Sequence, residues 1–188
     1  NPGKKGPQIA GGGFDLSSPV EVATGETTAC DVTILSETPI DSVGVAHSSA
    51  ALREMGIPET FSPTHIDAAG AAALRALGIE WELTAARSAV ETAPTSVVLR
   101  FGGLLPKLAA DSYAFTIAVR DTDGKTAEQT LKINVVQAEE VAMLDVDAWA
   151  KFATFKAKWT SAEKPAGAGF EYRKADATEW IAVPENRL

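Results

Sequence analysis

The sequence contains a single cysteine and two histidines in 188 residues. One cysteine excludes a disulfide within the chain. Cys30 lies between Ala29 and Asp31-Val32, a pattern typical of a strand, so we predict a buried structural thiol. No apolar run approaches the roughly 20 residues that a membrane-spanning helix needs. The 17 basic residues are scattered and outnumbered by 25 acidic ones, which argues against a nucleic-acid partner.

Signatures of metal binding and catalysis are equally scarce. His47 and His65 flank a predicted helix without the further regularly spaced ligands of a metal site, and we interpret both as solvated loop residues. Asp121-Thr122-Asp123-Gly124 begins like a calcium loop, but Lys132 stands where an EF-hand has its last glutamate, so we interpret it as a turn. No Gly-x-Ser-x-Gly motif occurs. We therefore predict no catalytic residue, no metal, no cofactor and a protein that is not an enzyme.

The first 14 residues are rich in glycine, proline and lysine. They run from Asn1 to Pro7 and on to three consecutive glycines at 11–13. This composition predicts a flexible tether over 1–14. It also suits a mature chain whose export signal has been removed, so we expect an extracytoplasmic protein.

Between residues 15 and 137, apolar and polar residues alternate with the period of two that marks half-buried strands. We predict seven strands in this region, of which 97–101 is more continuously apolar, like a central strand: 20–23, 30–34, 40–45, 80–83, 97–101, 113–119 and 130–135. This number of short strands predicts an antiparallel β-sandwich. Its core should contain Cys30, Val32, Ile34, Phe101, Tyr113, Phe115, Ile117, Leu131 and Ile133.

Two helical segments interrupt the strands, and they nearly repeat each other. Ala51-Leu-Arg-Glu-Met-Gly-Ile57 and Ala73-Leu-Arg-Ala-Leu-Gly-Ile79 both place an apolar residue directly after a glycine. Ser49 and Asp67 are suitable N-caps. We predict short helices near 49–56 and 67–77, each with its final isoleucine folded back on the last turn.

The pattern restarts after a polar segment at 137–140, where we place a domain boundary. Residues 148–159 form one long alternating stretch, and 169–174 and 179–183 are further candidate strands. Trp159 is expected in the core by its strand position. Trp149 and Trp180 are the candidates for a ligand-stacking role, with burial in the core as the alternative.

Two stretches resemble known bacterial modules. Residues 111–127, DSYAFTIAVRDTDGKTA, resemble the closing hairpin of bacterial immunoglobulin-like surface modules. Residues 155–159 with Pro165 and 170–174, FEYRK, resemble the first half of a fibronectin type III domain. The combination is similar to the N-terminal region of Bacteroidetes-type surface lipoproteins. That resemblance implies an immunoglobulin-like β-sandwich over 15–137, a partial fibronectin type III-like module over 138–188, and further chain beyond residue 188.

The resemblance also frames the function. It implies a non-enzymatic module at an outer-membrane-anchored cell surface that acts as a spacer or scaffold for a further C-terminal domain. A carbohydrate-binding or adhesion module, with a glycan or another surface protein as partner, is the alternative. A third hypothesis is a hydrolase-associated domain of a glycan-processing protein, because a spatial Ser-His-Asp triad leaves no trace in composition.

Overall fold

The chain is described by a computed structural model that covers residues 3–85, 93–138, 142–148, 153–159, 169, 171–173 and 178–182. It divides into two compact units, residues 1–138 and residues 139–188. The division falls one residue beyond the predicted boundary. Each unit is described by itself.

The described residues of the first unit form strands in two sheets, and two short helices lie between β4 and β6 in the chain. In chain order the elements are β1 (Gln8–Gly11), β2 (Val20–Ala23), β3 (Asp31–Leu35), β4 (Ile40–Ala46), α1 (Ala50–Glu54), β5 (Thr60–Phe61), α2 (Ala68–Ala76), β6 (Glu80–Ala85), β7 (Pro94–Arg100), β8 (Asp111–Asp121) and β9 (Thr126–Val136). A 3-10 turn (Leu105–Lys107) lies between β7 and β8.

The strand order is that of an immunoglobulin fold. One sheet has the order β1-β3-β7-β6, and the other has the order β2-β9-β8-β4-β5. Neighbouring strands are antiparallel in every described pair of this unit except β2 with β9, which is parallel. When β1 and β2 are counted as two halves of one first strand, β3, β7 and β6 share a sheet with one half, and β9, β8 and β4 follow one another in the other sheet. This is the strand order of the immunoglobulin fold. The predicted β-sandwich is therefore confirmed.

The core lies between the sheets and is contributed by alternate residues of each strand. β8 shows this most clearly, because Tyr113, Phe115, Ile117 and Val119 are buried while the residues between them face outward. All nine predicted core residues are at most 4% exposed. Phe101 of one sheet meets Phe115 of the other, with ring centroids 4.9 Å apart. The period-two pattern thus predicted the inward phase of these strands correctly.

Both predicted helices form, with matching ends. The Ser49 hydroxyl accepts from the Leu52 N–H at 3.2 Å, and the Asp67 carboxylate accepts from the Gly70 N–H at 2.7 Å. At the other end, Ile57 N–H donates to Leu52 C=O and Ile79 N–H donates to Leu74 C=O, each at 3.0 Å. Both isoleucines are buried, so the expected fold-back after each glycine is confirmed.

The prediction of a flexible tether over 1–14 is wrong for its second half. Residues 8–11 form β1, which pairs antiparallel with β3 from Gln8 opposite Leu35 to Gly11 opposite Val32. Before it, Lys5 N–H donates to the Glu37 carboxylate at 3.0 Å. Glycine and proline composition misled here because the pairing energy comes from a partner strand more than 20 residues away.

The chain enters and leaves the first unit at opposite ends of the sandwich. Residues 4 and 5 lie against Glu37 and Lys125, beside the turn that precedes β9. At the far end of β9, Ala138 N–H donates to the Thr24 hydroxyl at 3.0 Å. β9 has 11 residues. With a rise of about 3.3 Å per residue, the two ends are about 35 Å apart.

The described residues of the second unit form two short antiparallel ladders. β10 (Ala142–Ala148) pairs with β11 (Ala153–Trp159), and β12 (Glu171–Tyr172) pairs with β13 (Ile181–Ala182). The predicted single stretch over 148–159 is wrong, because Ala148 ends β10 and pairs with Ala153 of β11. Alternation continues unchanged through a chain reversal, so the pattern alone could not separate two strands from one.

Candidate functional site

The two histidines occupy different environments. His65 is exposed, as predicted, and its Nδ1 lies 2.9 Å from the Thr64 hydroxyl. His47 is only 8% exposed and contacts the edge of Phe115, with ring centroids 5.8 Å apart. The interpretation of His47 as a solvated residue is therefore wrong. The signal was present in β4, where Val43 and Val45 point inward and residue 47 continues their phase.

His47 has a defined tautomer and a structural role. The Ser49 backbone N–H donates to Nδ1 at 3.2 Å, so the ring proton resides on Nε2. Nε2 lies 3.1 Å from the Ile57 carbonyl oxygen and donates to it. The ring thus ties the end of β4 to both ends of α1, and its two nitrogens are occupied by backbone groups.

Cys30 and Tyr113 are likewise held in the interior. Burial, with a smaller contribution from the neighbouring Asp31 carboxylate, raises the pKa of Cys30 to about 11. The Tyr113 hydroxyl donates to the Ala109 carbonyl at 2.8 Å, the tyrosine corner of an immunoglobulin fold. Burial and then the Asp111 carboxylate raise the pKa of Tyr113. Neither group is in a form suited to nucleophilic or acid–base chemistry near neutral pH.

The Asp121–Gly124 segment forms the predicted turn between β8 and β9. Asp121 is 1% exposed, and its Oδ1 accepts from the Lys125 N–H at 2.8 Å while Oδ2 has no hydrogen-bond partner. Gly124 has φ of +81°, which closes the hairpin. Within the described residues, no group of three or more His, Cys, Asp or Glu side chains is placed to hold a metal ion. Glu139 and Glu140 lie outside the described residues.

An open groove lies on the outer face of the five-stranded sheet of the first unit. It has a volume of ≈ 670 Å³ and continues into a second depression of ≈ 420 Å³. Small side chains form its floor, and Arg120 and Glu128 are its charged lining residues. The floor comprises Ser42, Gly44, Ala118, Ser62 and Ala127 with Val43 and Val119 beneath. The groove could accept a flat ligand through hydroxyl and apolar contacts.

The strand edge beside this groove is closed by side chains. Val43 N–H donates to the Thr64 hydroxyl at 3.0 Å, and the Ser62 hydroxyl donates to the Val43 carbonyl at 2.6 Å. These two bonds replace those of a further strand, because β5 pairs only with Val45 and Ala46. An edge with its backbone groups satisfied is a poor template for pairing with another chain.

Of the two tryptophans predicted as candidates for ligand stacking, Trp180 lies in the described part of the chain. Trp180 is 60% exposed, and the Arg173 guanidinium lies 4.9 Å from its ring centroid. A cation therefore covers one face of that ring. Trp149 and the side chain of Trp159 lie outside the described residues. Trp81 is half-buried and stacks on Phe61 at 6.2 Å, so it belongs to the core rim.

Comparisons with known proteins add little. No protein-family model matches this chain, and no curated protein matches it in sequence. Among solved structures, the crystal structure of CopC from Methylosinus trichosporium OB3b matches with a TM-score of 0.32 and 14% sequence identity, over 70% of this chain and 97% of that chain. In the described part of the chain, no helix has the length and hydropathy needed to cross a membrane.

Proposed function

We propose that this protein is a non-enzymatic, extracytoplasmic module that acts as a spacer or scaffold, holding the segment after residue 138 at a fixed distance from the segment before residue 4. The observation that supports the proposal most directly is the opposite placement of the two chain ends on the first unit. A sandwich traversed along its long axis adds its full length to the molecule, whereas adjacent ends would add almost none.

Several features support the proposal that the first unit is a rigid spacer. Both ends are tied to the body by hydrogen bonds, Lys5 to Glu37 and Ala138 to Thr24. The interior polar groups of His47 and Tyr113 are bonded to backbone. Cys30 has no exposure and a raised pKa, which protects a lone thiol in an oxidising compartment. The resemblance of residues 111–127 to bacterial surface modules favours a cell-surface location.

The test measures the distance between the two ends. In a Cys30→Ala background, spin labels are placed at Gly3→Cys and Gln137→Cys, both exposed positions. A Cβ added at Gly3 meets nothing within 4 Å. If the first unit is a spacer, the two labels give one narrow distance distribution centred near 40 Å, within about 10 Å. The reason is that β9 alone spans about 35 Å at a rise of about 3.3 Å per residue. The matched control pairs Thr27→Cys with Gln137→Cys at the same end and gives a short distance. A broad or short distribution for the first pair contradicts the proposal.

The outer-face groove favours a second candidate function, a carbohydrate-binding or adhesion module. Its small floor residues leave room for a flat ligand, and Arg120 and Glu128 offer polar contacts. A glycan array with the full chain tests this candidate. Ala118→Trp, which fills the groove from an exposed floor position, should abolish any binding seen. Binding that survives Ala118→Trp does not come from the groove.

A further inference from the structure

The strands at the edges of the two sheets of the first unit differ in how their outward backbone groups are bonded. β5 has two residues, and the edge beyond it is closed by Ser62 and Thr64. At β2, Ala23 N–H donates to the Glu26 carboxylate at 2.8 Å, and Ala23 C=O accepts from Glu26 N–H at 3.0 Å. β1 has four residues and β6 has six, so β6 is the longest of these edge strands.

The edge of β6 is open along most of its length. Its ladder with β7 is regular from Glu80, opposite Arg100, to Thr84, opposite Ser96, and the register shifts at Ala85. In an antiparallel pair, alternate residues direct their backbone groups to the partner strand, so the others in β6 direct theirs outward. Among the described residues, none bonds to these outward groups. Such an edge is a template for a further strand.

The side of β6 that faces the core carries an apolar residue that the unit covers only in part. Leu83 lies opposite the fully buried Val97, so both side chains are on the core side of their sheet, yet Leu83 is 43% exposed. Trp81, two residues earlier, stacks on Phe61, which is the last residue of β5. A strand added beside β6 would place an apolar side chain next to Leu83 and remove it from water.

The other side of β6 is acidic. Glu80 is exposed, and the Glu82 side chain is 62% exposed. Arg100 lies 3.2 Å from the Glu82 carboxylate and 3.9 Å from that of Asp31, so one guanidinium faces two carboxylates. β6 itself contains no lysine or arginine. A second β6 strand would bring two further glutamates to this side, and like charges across strands are destabilising, whereas basic residues there would stabilise the pair.

We propose that β6 is a docking edge for an extended segment of a partner protein in which lysine or arginine alternates with apolar residues. Hydrogen bonds to the open backbone groups of β6 hold the segment. The alternation selects it, because its apolar side chains lie beside Leu83 while its basic side chains lie beside Glu80 and Glu82. The inference goes beyond the spacer function and does not depend on it, since it concerns an edge of the first unit and not its length.

Nuclear magnetic resonance titration of the full chain with synthetic peptides tests the proposal. The probe is Lys-Val-Lys-Val-Lys-Val with blocked ends, and the matched control is Glu-Val-Glu-Val-Glu-Val, which has the same apolar pattern. We expect amide shifts centred on residues 80–84 and a dissociation constant about fivefold or more lower for the lysine peptide, because opposite charges stabilise cross-strand pairs. Equal binding of the two peptides, or no shift in β6, overturns the proposal.

The chain has a formal net charge of -8, which attracts a basic peptide nonspecifically, so a pair of variants locates the binding. Leu83 and Val136 have similar exposure, 43% and 51%, and threonine suits a strand at both positions. Leu83→Thr should weaken binding of the lysine peptide about threefold or more through lost apolar contact, and Val136→Thr should leave it unchanged. An equal effect of both variants contradicts docking at β6. Shifts in β6 that follow protein concentration instead of peptide concentration would identify a second copy as the occupant and overturn the proposal.

Discussion

At the scale of single residues, two glycines with the same backbone conformation have very different surroundings. Gly56 and Gly78 follow α1 and α2 with φ of +94° and +95°. A Cβ on Gly56 would lie 3.9 Å from its nearest neighbour, the Leu77 side chain. A Cβ on Gly78 would lie 2.1 Å from the backbone carbonyl carbon of Gly103. The first glycine provides only a backbone angle, and the second also permits two chain segments to touch.

The two positions therefore respond differently to alanine. Gly56→Ala should cost about 1 kcal/mol of the free energy of unfolding, the usual penalty for a left-handed non-glycine residue. Gly78→Ala should cost about 3 kcal/mol or more, because backbone must also move. Urea unfolding of the two variants measures the difference. Similar losses of stability in both variants would mean that the backbone at Gly103 moves away from residue 78 at little energetic cost.

Cys30 gives a prediction in pH. Because its pKa is raised from 9.0 to about 11, the native state keeps the thiol protonated where the unfolded chain has lost its proton. The protonated Cys30 thiol makes its full contribution to the free energy of unfolding below pH 9. As the pH rises toward 11 the free energy of unfolding falls, by up to about 2 kcal/mol. The measurement is urea unfolding of wild type and Cys30→Ala at pH 8 and 10.5. The stability advantage of wild type should shrink at the higher pH, and a constant advantage would contradict the assignment.

At the scale of elements, the Tyr113 side chain makes a hydrogen bond across the corner before β8. Tyr113 donates to Ala109, which joins the strand to the loop that brings the chain across from the other sheet. Ser112, its neighbour, makes a comparable bond to Asn134 at 3.0 Å on the exposed side. The two bonds differ mainly in burial, since Tyr113 is 4% exposed.

Removing each hydroxyl separates these contributions. Tyr113→Phe should lose about 1 kcal/mol, because the Ala109 carbonyl loses its partner while the ring still packs. Ser112→Ala should change stability by no more than about 0.5 kcal/mol, as exposed substitutions usually do. Thermal unfolding of both variants checks the prediction. A larger loss of stability in Ser112→Ala than in Tyr113→Phe would indicate that the exposed bond between Ser112 and Asn134 stabilises the corner more than the Tyr113 hydroxyl does.

At the scale of the whole molecule, an aromatic contact at the centre of the core joins the two sheets of the first unit. Phe101 follows β7 in one sheet, and Phe115 belongs to β8 in the other. His47 packs on the same Phe115 ring from the end of β4. Phe115 therefore connects both sheets and the α1 segment.

Truncating that ring should affect the whole first unit. Phe115→Ala should cost about 3–5 kcal/mol, because the cavity removes contacts on three sides. Phe115→Leu, which keeps most of the volume, should cost about 1.5 kcal/mol or less. Hydrogen exchange should show the loss in β4, β7 and β8 together. Faster exchange confined to β8 would indicate that the sheets are held elsewhere.

The sequence by itself determined the class of fold, because period-two alternation selects which side of each strand is buried. It placed Phe115 and Ile117 in the core, and it located both helices from Ser49, Asp67 and the glycines that end them. These features are local, because side-chain direction along a strand and the capping of a helix are set within a few residues.

Only the tertiary structure decided the features on which the proposed function depends. β1 forms because β3 is beside it, and His47 is buried because α1 covers the end of β4. The pairing of β2 with β9 joins residues more than 100 positions apart. The groove likewise arises from strands brought together by folding. Such long-range pairings are fixed by the packing of whole sheets, which no short stretch of sequence records.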